Sequence, residues 1–251
     1  MSGRDDIQPS ATSGWRRLSY TRHCGWVDWG HALPGSAQSL KMQLDHESAA
    51  FGLLDGVTVT LDGRPAYLLN YGQAMGNRLI TVSATRQWVV VKGLTRAQKE
   101  SVGLAIFLSA SHQFETMQGT FPYSLLTNSG YSAEDLVSNL IGFYSAFRNI
   151  SQSDMRQTCG EVSVAESERI WDEHLPNGLE SIKNTTTEPI YYPTEEGGSG
   201  PPTFPPLFRE ITPAPKGVLW TTPQSRFIDG RLVNRGAHID VSAAGRVTAR
   251  D

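Results

Sequence analysis

Only two cysteines, Cys24 and Cys159, occur in the 251 residues. That is far too few for the disulfide framework of a small secreted scaffold, and whether the two pair depends on a distance that sequence spacing does not give. Neither sign of charge is in useful surplus, because 22 Lys and Arg against 25 Asp and Glu leave a net charge of -3. No basic excess recruits nucleic acid, and acidic repulsion is weak. There is no apolar run of the roughly 18 residues that a membrane-spanning helix requires. The polar opening Met1-Ser2-Gly3-Arg4-Asp5-Asp6 is followed by no apolar stretch of signal-peptide length. These absences predict a protein that is cytoplasmic as synthesised and spans no membrane, with export by a route that needs no cleavable signal still open.

What is present suits a globular chain. Hydrophobic residues make up 39% and charged residues 19%, and a chain of this length buries about three quarters of its unfolded surface. Residues 1–18 are polar and read as a flexible lead-in. A weak helical period over 36–51 gives way to a period of two: Val57, Val59 and Leu61, then the turn signal Asp62-Gly63, then residues 66–69. With strand candidates at 78–83 and 88–91, this predicts a small, mostly antiparallel sheet over 56–92. Thr95 and Gln98 form a capping box that opens a helix over 96–118, apolar on every side and hence buried. A second box, Ser132 and Asp135, opens an amphipathic helix over 133–148; a third, Ser163 and Glu166, opens a short helix ended by His174 and Pro176. The fold class is therefore α+β, with the sheet packed on the buried central helix and the second amphipathic helix. The domain scheme is a lead-in at 1–18, a catalytic-type domain at 19–178, a Pro/Gly-rich strap at 179–216 that is extended or disordered, and a terminal hairpin at 217–251 docking on the same domain.

The densest chemistry lies in Tyr20-Thr21-Arg22-His23-Cys24-Gly25-Trp26-Val27-Asp28-Trp29-Gly30-His31. Asp28 and His31, three apart in a loop, suit a carboxylate that orients an imidazole for base catalysis or metal binding; equally, Asp28 caps a turn and His31 packs. Cys24 is a nucleophile only if an imidazole lowers its pKa. At the end of the central helix, His112 and Glu115 share the stripe of Leu104, Ala105 and Leu108, so they extend a buried face either as a satisfied pair or as ligands. The helix over 133–148 has a second face of small or uncharged residues, Asp135, Ser138, Asn139, Gly142, Ser145 and Ala146, against which a chain segment or ligand is expected. Trp26, Trp29, Glu134, Asp135 and Asn139 are the candidate substrate-binding residues.

The block 22–31 and the block Ser132-Ala133-Glu134-Asp135-Leu136-Val137-Ser138-Asn139-Leu140-Ile141-Gly142 resemble a bacterial family catalogued as a domain of unknown function. That family pairs a Cys-Gly-Phe-x-Asp-x-Gly-His-like block with a Glu-Asp-Leu-x-Ser-Asn-Leu-x-Gly block, with a His-containing helix between. His112 falls where that histidine would, but Gln113 stands where the family carries Glu. The resemblance covers about half the chain and implies that the blocks converge on one site; it implies no reaction.

Three readings result. The favoured one is a hydrolase whose site gathers Asp28, His31, His112 and Glu115, lined by Glu134, Asp135 and Asn139. His31, His112 and Glu115 would hold zinc, or the same groups would act as general acid and base without metal. Its substrate would be polar and extended, such as a glycan or peptide of the bacterial envelope, peptidoglycan included, with an exported effector toxin as the setting. The second reading is a cysteine-dependent amidase or peptidase that uses Cys24. The third is a binding or scaffold protein that docks a protein partner through the Pro-rich strap.

Overall fold

The computed structural model describes the backbone of residues 2–48, 58–76, 81–118, 132–197, 200–221, 225–228, 231–234, 238–241 and 246–250, and side chains over 2–48, 60–72, 87–111, 132–197 and 200–221. In chain order the elements are β1 (Leu18–Thr21), β2 (Gly25–Asp28), α1 (Gly35–His46), β3 (Thr58–Leu61), β4 (Arg64–Gly76), β5 (Thr81–Val91), α2 (Arg96–Gln118), α3 (Asp135–Arg148), α4 (Gln152–Cys159), α5 (Val164–His174), β6 (Trp220–Thr221), β7 (Ser225–Ile228), β8 (Arg231–Asn234), β9 (His238–Val241) and β10 (Arg246–Arg250). The fold is α+β. The chain divides into two compact units, Met1–Ala37 with Ser111–Glu210, and Gln38–Ala110 with Ile211–Asp251. Each unit is discontinuous in sequence, unlike the contiguous span 19–178 expected, and α1 and α2 carry the chain from one to the other.

The unit built on Gln38–Ala110 and Ile211–Asp251 holds a six-stranded sheet in the order β6-β5-β4-β3-β10-β9. All its pairs are antiparallel except β3 with β10. At the β3–β4 turn, Asp62 and Gly63 have φ of 49° and 75°, the doubly positive conformation that a two-residue hairpin loop demands and that an Asp-Gly pair tolerates. Tyr67 faces Val90 and Leu69 faces Trp88 across the β4–β5 ladder, all four buried, so one face of the sheet is apolar along this ladder. Residues 81–83 of one strand candidate and the whole of the other, 88–91, belong to one strand, β5; residues 78–80 lie outside the described residues. Both arms of the Thr95–Gln98 capping box form, at 3.0 and 3.3 Å. The helix they open, α2, buries Val102, Leu104, Ala105, Ile106, Phe107 and Ala110, with Phe107 against Tyr71 of β4. The segment 217–251 contributes two hairpins instead of one, β7 with β8 and β9 with β10.

In the other unit, β1 and β2 form an antiparallel hairpin buried along its whole length. Leu18, Tyr20 and Trp26 from this hairpin meet Ile7, Val162, Ile170, Trp171, Leu175 and Leu179 in one core. Residues 1–18 are thus not a free lead-in. Arg4–Ile7 forms a 3-10 turn, Ile7 is wholly buried, and the Arg4 guanidinium binds Asp172 at 2.7 Å and Glu168 at 3.1 Å. The strap carries 3-10 turns at Leu179–Ser181 and Pro206–Arg209, and its middle part docks on the β1–β2 hairpin and α5, where Tyr192 exchanges hydrogen bonds with the Tyr20 hydroxyl at 2.7 and 2.8 Å and Glu196 accepts from Ser163. Helix α4, absent from the sequence expectation, starts at an N-cap, Ser151, and ends at the left-handed Gly160.

The small-residue face of α3 is covered by chain. A Cβ on Gly142 would lie 3.1 Å from the Ala32 carbonyl carbon and 3.1 Å from the Leu33 oxygen. Both are backbone, so Gly142→Ala must displace the segment that carries His31. We expect it to lower the unfolding free energy by about 1–3 kcal/mol, read as a reduced urea midpoint at unchanged m-value; an unchanged midpoint would mean the segment yields freely.

Candidate active site

The two sequence blocks meet in this unit. The β1–β2 hairpin ends at Asp28, whose backbone N–H donates to Ser138 Oγ on α3 at 2.9 Å. The carboxylate of Asp28 has no exposed surface. It accepts from Ser2 Oγ at 2.6 Å, Arg17 Nη2 at 2.9 Å, Gly30 N–H at 2.7 Å and His31 N–H at 3.3 Å. Asp28 therefore caps the turn that presents His31 and does not bind its ring. Burial alone would raise the Asp28 pKa, but the neighbouring His31 and Arg17 charges and the bonds from Arg17 and Ser2 outweigh it and hold the pKa below the usual carboxylate value.

The carboxylate that orients His31 is Asp135, with Oδ1 3.2 Å from His31 Nδ1. Its other oxygen accepts from Ser132 N–H at 3.0 Å and from Ser132 Oγ at 2.6 Å. The expected capping box is thus only half formed, since Ser132 Oγ donates to the carboxylate instead of capping the helix. Helix α3 begins two residues later than the box implied, at Asp135. Desolvation would lower the His31 pKa, yet the Asp135 hydrogen bond and the Asp28, Asp135 and Glu134 charges raise it to about 9. The His31 side chain keeps 18% of its surface exposed and Asp135 only 4%, so the imidazolium edge is the part of this cluster that meets solvent.

Glu134, next to Asp135 in the chain, is 1% exposed, and its Oε2 has no hydrogen-bond partner. Burial first, then the Asp135 charge, raise its pKa to about 7, with its own backbone N–H and His31 opposing. A buried acceptor without a protein partner calls for an explanation such as an ordered water or a chemical role.

The other expected site residues are placed as follows. Trp26 packs edge-on against Tyr20 and Trp171 at 5.5 Å each. Trp29 is fully buried, donates to Ser19 Oγ at 2.6 Å and carries the Arg156 guanidinium 4.4 Å from its ring. Core packing accounts for both tryptophans. Asn139 is partly exposed on α3, one turn beyond Asp135. Cys24 is wholly buried with Sγ 2.6 Å from Cys159 Sγ, and burial and Cys159 push its thiol pKa well up, the opposite of what activates a nucleophile. The side chains of His112 and Glu115 lie outside the described residues. For zinc, the Asp135 contact engages only Nδ1 of His31, and among the described residues no group of three His, Cys, Asp or Glu side chains is placed to hold a metal ion. Of the expected zinc set, the side chains of His112 and Glu115 lie outside the described residues.

Arg17 and Ser2 were not foreseen. The only signal that points to them is the burial of Asp28, because a buried carboxylate needs a cation and donors.

No protein-family model, curated protein or solved structure matches the chain. Among the described residues no helix is long and apolar enough to cross a membrane.

Proposed function

We propose that the chain is a hydrolase of a polar substrate, with His31 as general acid and Glu134 as general base. The observation that carries this reading is the pairing of a protonated, Asp135-held imidazole that reaches solvent with a buried carboxyl whose Oε2 lacks a partner. Titratable neighbours whose environments drive their pKa values apart, here to about 9 and about 7, divide acid and base roles between them. A water on Glu134 Oε2 satisfies the orphan acceptor. The ionised carboxylate takes its proton as its oxygen attacks the substrate, and His31 Nε2–H protonates the leaving group while Asp135 holds the ring at Nδ1. Asp28 is a positioning residue that fixes the turn beneath His31.

An extended envelope glycan or peptide is the substrate class to assay first. Intact peptidoglycan, its glycan strands and its stem peptides form the panel, with soluble peptides as controls. Hydrolysis should rise through about pH 7 and fall through about pH 9 as macroscopic values of the coupled pair. Glu134→Gln and His31→Gln should each lower kcat/KM by about 100-fold or more. Turnover on no member of the panel, or full activity in Glu134→Gln, overturns the reading and leaves the cluster a structural network.

A further inference from the structure

We infer that Cys24 and Cys159 form one intramolecular disulfide, made while the chain folds by exchange with a small-molecule or protein disulfide. The two thiols face each other at 2.6 Å, and neither has exposed surface. Backbone contacts on both sides hold them there independently of the sulfurs. Arg22 N–H donates to the Gly160 carbonyl and His23 N–H to the Cys159 carbonyl, both at 2.9 Å, Val162 N–H donates to the Tyr20 carbonyl at 3.2 Å, and Thr21 bridges to Glu161. Cys24 sits in the β1–β2 turn, where its N–H is bound by Thr21 Oγ1 at 3.1 Å and the next residue, Gly25, has φ of 65°. A Cβ on Gly25 would fall 2.5 Å from the Ile190 oxygen, so the strap closes over the same turn. Cys159 is the last residue of α4, stopped by the left-handed Gly160. Both cysteines are therefore fixed by the ends of rigid elements, with their sulfurs pointing into a common dry space.

The chemistry balances without a metal. One cysteine, as thiolate, attacks a sulfur of oxidised glutathione, expels one glutathione thiolate and forms a mixed disulfide. The second cysteine loses its proton and attacks the protein sulfur, the Sγ–Sγ bond forms, and the second glutathione leaves. The protein pair loses two electrons and two protons, and oxidised glutathione becomes two reduced glutathiones. Because both thiols are buried in the folded chain, exchange precedes closure of the turn on α4. The link ties residues 135 apart in sequence, and cross-links across long loops restrict the unfolded chain most. This inference stands apart from the hydrolase reading, since it uses none of His31, Glu134 and Asp135.

The test refolds the reduced, denatured full chain in a reduced and oxidised glutathione mixture and, in parallel, in dithiothreitol, then alkylates both in denaturant. The expected glutathione product is monomeric, lighter than the reduced chain by two hydrogens, closed to iodoacetamide, and yields a linked peptide pair that contains Cys24 and Cys159. Its Tm should exceed that of the dithiothreitol product by about 10 °C, and Cys159→Ser should lose that difference. Should the variant fail to fold, mapping of the wild-type chain decides alone. Two alkylated cysteines, a retained glutathione adduct or a disulfide-linked dimer overturns the assignment.

Discussion

Asp135→Asn should lower the unfolding free energy by about 3 kcal/mol at pH 7, the low end for a buried pair broken on one side. The low end applies because the His31 edge retains 18% exposure and water partly replaces the lost partner. The substitution leaves an imidazolium against a neutral amide and weakens the hold on Ser132, which donates twice to this carboxylate. The pH dependence identifies the source. His31 rises from 6.5 to about 9 on folding, so its contribution is complete below the unfolded value and is lost as pH climbs through about 9. Glu134 rises from 4.5 to about 7. Its protonated form is the one the fold prefers, and stability drains away as pH increases across that interval. The wild-type protein should therefore lose stability progressively from about pH 4.5 to pH 9. In Asp135→Asn the upper part of that decline should flatten as the His31 pKa falls back toward 6.5. Urea unfolding at a series of pH values, with imidazole NMR titration of His31, reads both effects. A decline over pH 7–9 as steep in the variant as in wild type would show that the His31–Asp135 pair is not its cause. His31→Gln in the same background should add little, since each single change already breaks the pair.

Asp28→Ala should be comparably destabilising, by about 3–4 kcal/mol. The carboxylate is the shared acceptor for Ser2, Arg17 and the Gly30 and His31 amides, and alanine replaces none of those bonds. Arg17 keeps 36% of its side chain in solvent and rehydrates, which is why the loss is not larger. Asp28→Asn retains an acceptor for the turn and should recover roughly half of the loss. Because the Asp28 pKa is lowered on folding, its contribution is present above the ordinary carboxylate range and disappears as pH falls through the lowered value. Both variants should therefore show a shallower acid limb than wild type. Equal stability of Asp28→Ala and wild type in calorimetry would mean that the turn holds itself through the backbone bonds from His31 and Ala32 to the Asp28 carbonyl.

Where signals were local, the sequence was legible. The Asp62-Gly63 turn and the Thr95–Gln98 box are written within four residues each, and both took the expected form; of the Ser163–Glu166 box only the arm from Glu166 N–H to Ser163 Oγ formed, because Glu196 takes the Ser163 N–H. The all-round apolar run 102–107 became a buried helix because nothing in it tolerates water. The Ser132–Asp135 box shows where local logic ends. The spacing brings Ser132 and Asp135 together, but Ser132 Oγ donates to one oxygen of the carboxylate instead of capping the helix, and the other oxygen faces a histidine from far earlier in the chain. Trp26 and Trp29, the two aromatic candidates for substrate contact, are both buried, as rings of that area usually are.

Composition, turn chemistry and helix caps, all properties of neighbouring residues, determined by themselves the α+β class, the main hairpin and the central helix. The tertiary structure alone decided who partners whom: Asp135 and not Asp28 on the His31 ring, Arg17 and Ser2 on Asp28, Glu134 left with an unpaired oxygen, and Cys24 against Cys159. It also decided that β10 lies beside β3, which makes the sheet-bearing unit discontinuous along the chain. These are contacts between residues far apart in sequence. Their energies depend on distance and desolvation, and a chain acquires both only when it closes on itself.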